Sequence, residues 1–194
     1  MAEKPILFST EMVKAILDGR KTMTRRVIKN PERLDGLMME DEAPDWAPYA
    51  PGDVLWVRET WRLSLAGGFY IYKADPGREE RNHPLTAIDP TLKWKRSIHM
   101  PRIAARLFLR VKSVRVERLQ AITRADALAE GVEQLDSYHE VIDHAFAIGG
   151  GTGDIPRQIF RQLWDSLNAK RGYGWDVNPW VWVIEFEVIK DATP

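Results

Sequence analysis

The sequence predicts an α+β fold, and three stretches carry that reading. Residues 5 to 28 run from an apolar strand through an amphipathic helix to a basic strand. Residues 54 to 61 set Val54, Trp56 and Arg58 against Leu55, Val57 and Glu59 in strict alternation, and Trp180 to Ile189 is apolar on both faces where it begins, as the central strand of a barrel is. A chain of 194 residues supports one well-buried core and is short for two, so a single elaborated domain over 1–194 is expected. Lys and Arg (28) balance Asp and Glu (28), so any attraction for nucleic acid or an anionic membrane has to be local. Without cysteine there is no disulfide framework, thiolate nucleophile or thiolate metal site. Met1 to Pro5 lacks the basic-then-apolar build of a signal peptide, and no apolar run nears the ~20 residues that span a bilayer. A soluble, cytoplasmic protein with no membrane partner is expected.

Pro5 to Phe8 reads as a buried strand. Met12, Val13, Ile16 and Leu17 then recur at helical spacing behind Thr10 as N-cap, and Gly19 stands where the chain leaves the helix. The basic strand follows, with Thr22, Thr24, Arg26 and Ile28 on one face and Met23, Arg25 and Val27 on the other. Lys21 and Thr24 fall on opposite faces of an ideal strand, so they can cooperate only if Lys21 lies in the preceding loop or at a bulge. Arg20, Lys21, Arg25, Arg26 and Lys29 have no acid among them, which on composition alone reads as a solvated strand edge. Asn30 to Pro51 is acidic and proline-rich, a surface loop. Gly52-Asp53 turns into the strand at 54–61, and Phe69 to Lys73 is a further strand after Gly67-Gly68.

Asp75 to Pro101, polar and broken by Pro76, Pro84, Pro90 and Pro101, reads as an insertion. Between Lys93 and Arg118 stands a second basic region whose one acid is Glu117, with two strands bent near Lys112-Ser113. Trp94 and Phe108 interleave with its cations, which suits a nucleotide or nucleic-acid surface; an ordinary solvated face is the competing reading. Thr123 caps a short helix with Asp126 at the capping-box position and Gly131 as its stop. Glu130, in its last turn, faces the negative end of the helix dipole. Leu135 to Ile148 has mixed helical periodicity and ends in Gly149-Gly150-Gly151, a linker, since no Lys-Ser/Thr pair follows. Asp154 caps a strong helix with Pro156 in its first turn, and Ile155, Ile159, Phe160, Leu163, Trp164 and Leu167 form its core face. His83, His99, His139 and His144 show no zinc-site spacing, and neither a nucleophile elbow nor a dinucleotide loop is present, so no metal and no cofactor is expected. Trp164 and Trp182 read as core. Trp61 and Trp175, beside charged or glycine-rich loops, are candidates to stack on a base, with core packing the equal alternative.

Gly19-x-Lys21-x-x-Thr24-x-Arg26 resembles the signature of ASCH domains, a branch of the PUA-like superfamily. The Gly52-Asp53 turn before an apolar strand, and the stretch from Leu119 to Val132, follow it in the family's order. The resemblance implies a small, mostly antiparallel PUA-like β-barrel with flanking helices. Insertions near 30–50, 75–100 and 133–155 depart from the compact members and are more similar to phage or prophage ASCH proteins. Family members usually carry Glu or Thr at the position of Thr24, and the Thr form resembles bacterial amidohydrolases that remove acetyl from the exocyclic amine of acetylcytidine. The resemblance thus implies hydrolysis of an amide on a modified cytosine nucleoside, with Thr24 as nucleophile, Lys21 as its activating base and Glu130 moving the proton to the departing amine. Arg25, Arg26, Arg58, Trp61 and Trp175 are the expected substrate contacts. The same arginines equally serve a non-catalytic RNA- or modified-base-binding module, which a steep salt dependence would mark. On either reading the partner is a modified nucleoside or RNA.

Overall fold

The computed structural model describes residues 2–34, 44–64, 68–75, 93–132 and 154–189. Its elements run β1 (Glu3–Leu7), α1 (Thr10–Leu17), β2 (Met23–Val27), β3 (Val54–Arg58), β4 (Trp61–Leu63), β5 (Tyr70–Tyr72), β6 (Phe108–Arg118), α2 (Arg124–Ala129), α3 (Ile155–Asn168) and β7 (Trp180–Val188). The main sheet has the strand order β1-β3-β6-β7-β2, with a separate β4-β5 ladder. β1 pairs with β3 in parallel, while β3–β6, β2–β7 and β4–β5 are antiparallel. The α+β class and the mostly antiparallel sheet are as expected from the sequence, and β7 is an interior strand. The barrel is not closed: among the described residues the sheet is open, with β1 and β2 at its edges. At the β1 edge Pro5 has no N–H to offer a further strand.

Three boundaries differ from the sequence expectation. Ser9, not Thr10, caps α1: its backbone is extended and its hydroxyl accepts from Met12 N–H at 3.3 Å. β6 is one strand of eleven residues rather than two bent near Lys112-Ser113. Neither residue lacks an N–H or takes a positive φ, so nothing there interrupts the strand. Leu167, assigned to the core face of α3, is exposed in the last turn. The helix predicted within 135–148, the glycine linker, His83, His139 and His144 lie outside the described residues, as do 35–43, 76–92 and 133–153 of the expected insertions.

The chain divides into two compact units, each assembled from separated segments. The first comprises 1–18, 52–110 and 187–194. Here Gly52, at φ 88°, makes the turn that delivers Asp53, whose carboxylate accepts from Ala2 N–H (3.1 Å) and Lys4 Nζ (2.7 Å) at the start of the β1–β3 ladder. Trp61, Met100, Ala104, Ala105 and Phe108 form one apolar cluster. Beside it, Glu59 is buried and held by both Arg106 Nε and Nη2 at 3.0 Å. The second unit comprises 19–51 and 111–186. Its core unites Met23 of β2, Val181 and Val183 of β7, and Ile155, Ile159, Phe160 and Trp164 of α3, with Leu119, Ile122, Ala127, Val132 and Trp175. No helix among the described residues is long and apolar enough to cross a membrane.

Candidate functional site

The site is built inside the second unit from β2, the loop before it and the C-terminal end of α2. Gly19, at φ 75°, turns the chain out of α1. Lys21 then lies ahead of β2, forming an isolated antiparallel bridge with Glu130. Lys21 thus lies in the loop before β2, which is where its cooperation with Thr24 requires it to be. The bridge has backbone support, with Thr22 N–H donating to Ala129 O and Phe186 N–H to Thr22 O, both at 2.9 Å. α2 opens with Thr123 Oγ1 accepting from Asp126 N–H at 3.1 Å and closes on Glu130 as C-cap, after which Gly131 takes φ 83° and stops it.

Lys21, Thr24 and Glu130 are each almost wholly removed from water, at 1 %, 1 % and 4 % exposure. Lys21 Nζ donates to Glu130 Oε2 at 2.7 Å, to Met23 O at 2.8 Å and to Glu130 O at 3.0 Å. An ammonium has three N–H bonds, and each of these has an acceptor. Burial pushes the Lys21 pKa below its ordinary 10.5; Glu130 opposes that shift, and Arg26 and Arg25 add to it. Thr24 pairs with Ile184 and Arg26 with Trp182 across the β2–β7 ladder, so these four share one face. Trp46 meets Trp182 edge-on at 5.1 Å and carries the Arg33 guanidinium over its ring at 4.4 Å. Burial raises the Tyr49 phenol above its ordinary value while Arg26 pulls it down.

Arg25 points to the other face. Its side chain has no exposed surface, and its Nη2 bonds Asp126 at 2.8 Å and Glu117 at 3.2 Å while Nη1 reaches Glu130 Oε1 at 3.4 Å. Arg115 continues the array, donating to Glu117 (2.5 Å), Glu185 (2.7 Å) and Asp126 (3.3 Å). Asp126, Glu117, Arg115 and Glu185 were not singled out from the sequence as site residues. The signal was there in Asp126 and Glu130, four apart on a helix, and in Arg115 and Glu117, two apart on a strand.

The structure therefore joins Lys21 to Glu130 and Glu130 to Arg25; Thr24 and Arg26 stand on the other face of β2, with Arg26 close enough to interact electrostatically with both Lys21 and Glu130. The other expected substrate contacts are placed elsewhere. Trp175 is a core residue of the second unit, 6.4 Å from the Phe160 ring, with its N–H held by Asp165 at 2.6 Å. Trp61 is buried in the apolar cluster of the first unit, edge-on to Tyr70 at 5.6 Å. Arg58, also in the first unit, donates from Nη2 to Ile98 O and lies 5.5 Å from the Trp56 ring. Both tryptophans are packed into apolar clusters, with Lys95 Nζ over the Trp61 ring at 4.9 Å.

No family model and no curated protein matches the chain. Among solved structures it is similar to an ASCH domain from Lactobacillus crispatus, at 12 % identity and TM-score 0.41, over 96 % of this chain and 79 % of that one. It is also similar to a DUF984-family protein from Enterococcus faecalis, at 14 % identity and TM-score 0.40, over 97 % and 80 %.

Proposed function

We propose that the second unit carries a proton-transfer site that hydrolyses the amide on the exocyclic amine of an acylated cytosine nucleoside. One observation carries the reading: a water-excluded lysine sits 2.7 Å from a water-excluded carboxylate, in the loop that leads into the strand bearing Thr24. The motif Gly19-x-Lys21-x-x-Thr24-x-Arg26 supplies the substrate class by its resemblance to ASCH-type amidohydrolases.

As an ammonium Lys21 has no lone pair, so it becomes a base only by passing a proton to Glu130. Burial, which weakens the ammonium, favours that transfer. Thr24 Oγ1 then attacks the acyl carbon as its proton moves to Lys21 Nζ. The tetrahedral centre collapses, the C–N bond breaks, and the amine leaves with the proton held by Glu130. The Thr24 ester and the original Lys21–Glu130 ion pair remain. A second transfer within the pair lets Lys21 deprotonate water; the ester opens, the acid departs, and Glu130 returns a proton to Thr24. Arg26, on the Thr24 face of β2, stabilises the oxyanion.

Incubation with acetylcytidine and a panel of acylated nucleosides, following cytidine release, tests this. Wild type is expected to release cytidine, and Thr24→Ala and Lys21→Ala each to reduce the rate by at least ~10²-fold. Turnover that survives Thr24→Ala would remove the nucleophile; no turnover on any substrate would remove the reaction.

A further inference from the structure

We infer that Arg25 is the positioning residue for Glu130: its one guanidinium clamps two carboxylates a helical turn apart on α2 and so holds Glu130 against Lys21. The inference rests on the proposed role of Glu130 in proton transfer. It reassigns Arg25, which the sequence placed among the substrate contacts.

Asp126 and Glu130 stand at i and i+4, on one face of α2, and Glu130 N–H donates to Asp126 O at 2.9 Å. Arg25 Nη2 takes Asp126 at 2.8 Å and Nη1 reaches Glu130 Oε1 at 3.4 Å, leaving Glu130 Oε2 to Lys21. A planar, two-pronged cation is the side chain that can do this; a lysine ammonium is a single point of charge. The helix needs the anchor. With six residues it is far below the length at which an isolated helix persists, so its placement depends on tertiary contacts. The guanidinium is itself fixed from behind. Glu117 of β6 binds Nη2 at 3.2 Å, and Arg115 ties that carboxylate to Glu185 of β7. The orientation of α2, and with it the direction of the Glu130 carboxylate, is thereby referred to the sheet. Arg25 bonds Oε1 of Glu130, the oxygen turned away from Lys21, and acts through Glu130.

The test compares Arg25→Lys and Asp126→Asn with wild type by residue-resolved amide hydrogen exchange on the free protein, and by kcat and KM for acetylcytidine. Arg25→Lys keeps the charge and loses the fork; Asp126→Asn weakens the far end of the clamp and reports the same effect should the first variant fold poorly. Both are expected to speed exchange at residues 127–130 by ~10-fold while the β2–β7 amides keep wild-type protection. Turnover is expected to lose ~10-fold in kcat with KM unchanged. Unchanged α2 exchange, or exchange that rises equally throughout the unit, would overturn the clamp. So would a raised KM with kcat retained, since that is the signature of a substrate contact. The exchange arm needs no substrate: α2-selective loosening in a protein without turnover keeps the clamp and removes the amidohydrolase reading, whereas turnover with an indifferent α2 does the reverse.

Discussion

Replacing Lys21 by Met tests the electrostatic core of the site without any assumption about substrate. The two side chains are of similar length and the position is fully enclosed, so loss of packing is a minor part of the change. What remains is Glu130, 4 % exposed and stripped of its 2.7 Å partner, together with the Met23 and Glu130 carbonyls that lose their donor. Removing one member of a buried ion pair costs about 3–5 kcal/mol, because the survivor is left charged and dry. Arg25, at 3.4 Å from Oε1, still offsets part of that, which puts Lys21→Met at about 3 kcal/mol in urea unfolding at pH 7. Adding Glu130→Gln removes the stranded charge, so the double variant is expected to be more stable than the two single effects predict by about 2 kcal/mol. The pH dependence has a definite sign. Burial holds folded Lys21 below 10.5, so between its folded value and 10.5 the unfolded chain binds the extra proton and wild type gains stability as pH rises. Lys21→Met lacks that gain, and its deficit therefore widens toward pH 10.5 and is smallest below the window. A deficit under about 1 kcal/mol, strict additivity of the double variant, or a deficit that shrinks with rising pH would refute the reasoning.

In the first unit, Arg106→Met leaves the buried Glu59 without its two-pronged partner and is expected to cost about 3–5 kcal/mol at pH 7 by urea unfolding. Burial raises the Glu59 pKa above 4.5 even in wild type, so its contribution is full below 4.5 and lost as pH rises through the folded value; Arg106→Met should show little deficit below 4.5 and its full deficit only once pH has passed the folded value. Gly131→Ala forces a Cβ into a φ of 83° and is expected to cost about 1–2 kcal/mol and to lower kcat by displacing Glu130. Ile159→Ala opens a hole in the wholly buried face of α3, with an expected loss of about 2–5 kcal/mol and no change in Lys21 titration by ¹³C NMR.

The elements that hydrophobic period alone specifies were legible in the sequence. α3 shows its apolar face at helical spacing, β3 alternates, and β7 is apolar on both sides because it is an interior strand. The pairing of Lys21 with Glu130 was legible only through the motif, since 109 residues separate them and no local pattern records so distant a contact. Period two correctly set Arg25 and Arg26 on opposite faces of β2. It did not say which face meets α2 and its carboxylates, so Arg25 was read as a substrate contact. For Trp61 and Trp175 the sequence left base stacking and core packing equal, for a related reason, and the structure takes the second. Flanking charge and glycine describe the chain around a residue, whereas its burial is decided by segments such as Met100 to Phe108 that arrive from elsewhere. Closure of the barrel was equally beyond reach, being a property of strand register around a whole sheet.

The position of Glu130 shows how the site tolerates its own chemistry. A carboxylate in the last turn of a helix sits against the negative end of the dipole, beside carbonyls that have no partner within the helix. Lys21 answers both problems with one group: its ammonium binds the Glu130 side chain and the Glu130 carbonyl together, acting as a cationic cap at the C-terminus of α2. The cap and the proposed base are then the same nitrogen. When Lys21 passes its proton to Glu130, the cation leaves the helix end as the anion also vanishes, so neither is left unbalanced. In the proposed mechanism that cancellation lets a proton move within so dry a place at small cost. An arginine at position 21 would keep a positive charge at the end of α2 and could never give up its proton. Lys21→Arg should therefore retain most of the α2 exchange protection while abolishing cytidine release, and turnover by that variant would show that Lys21 is not the base.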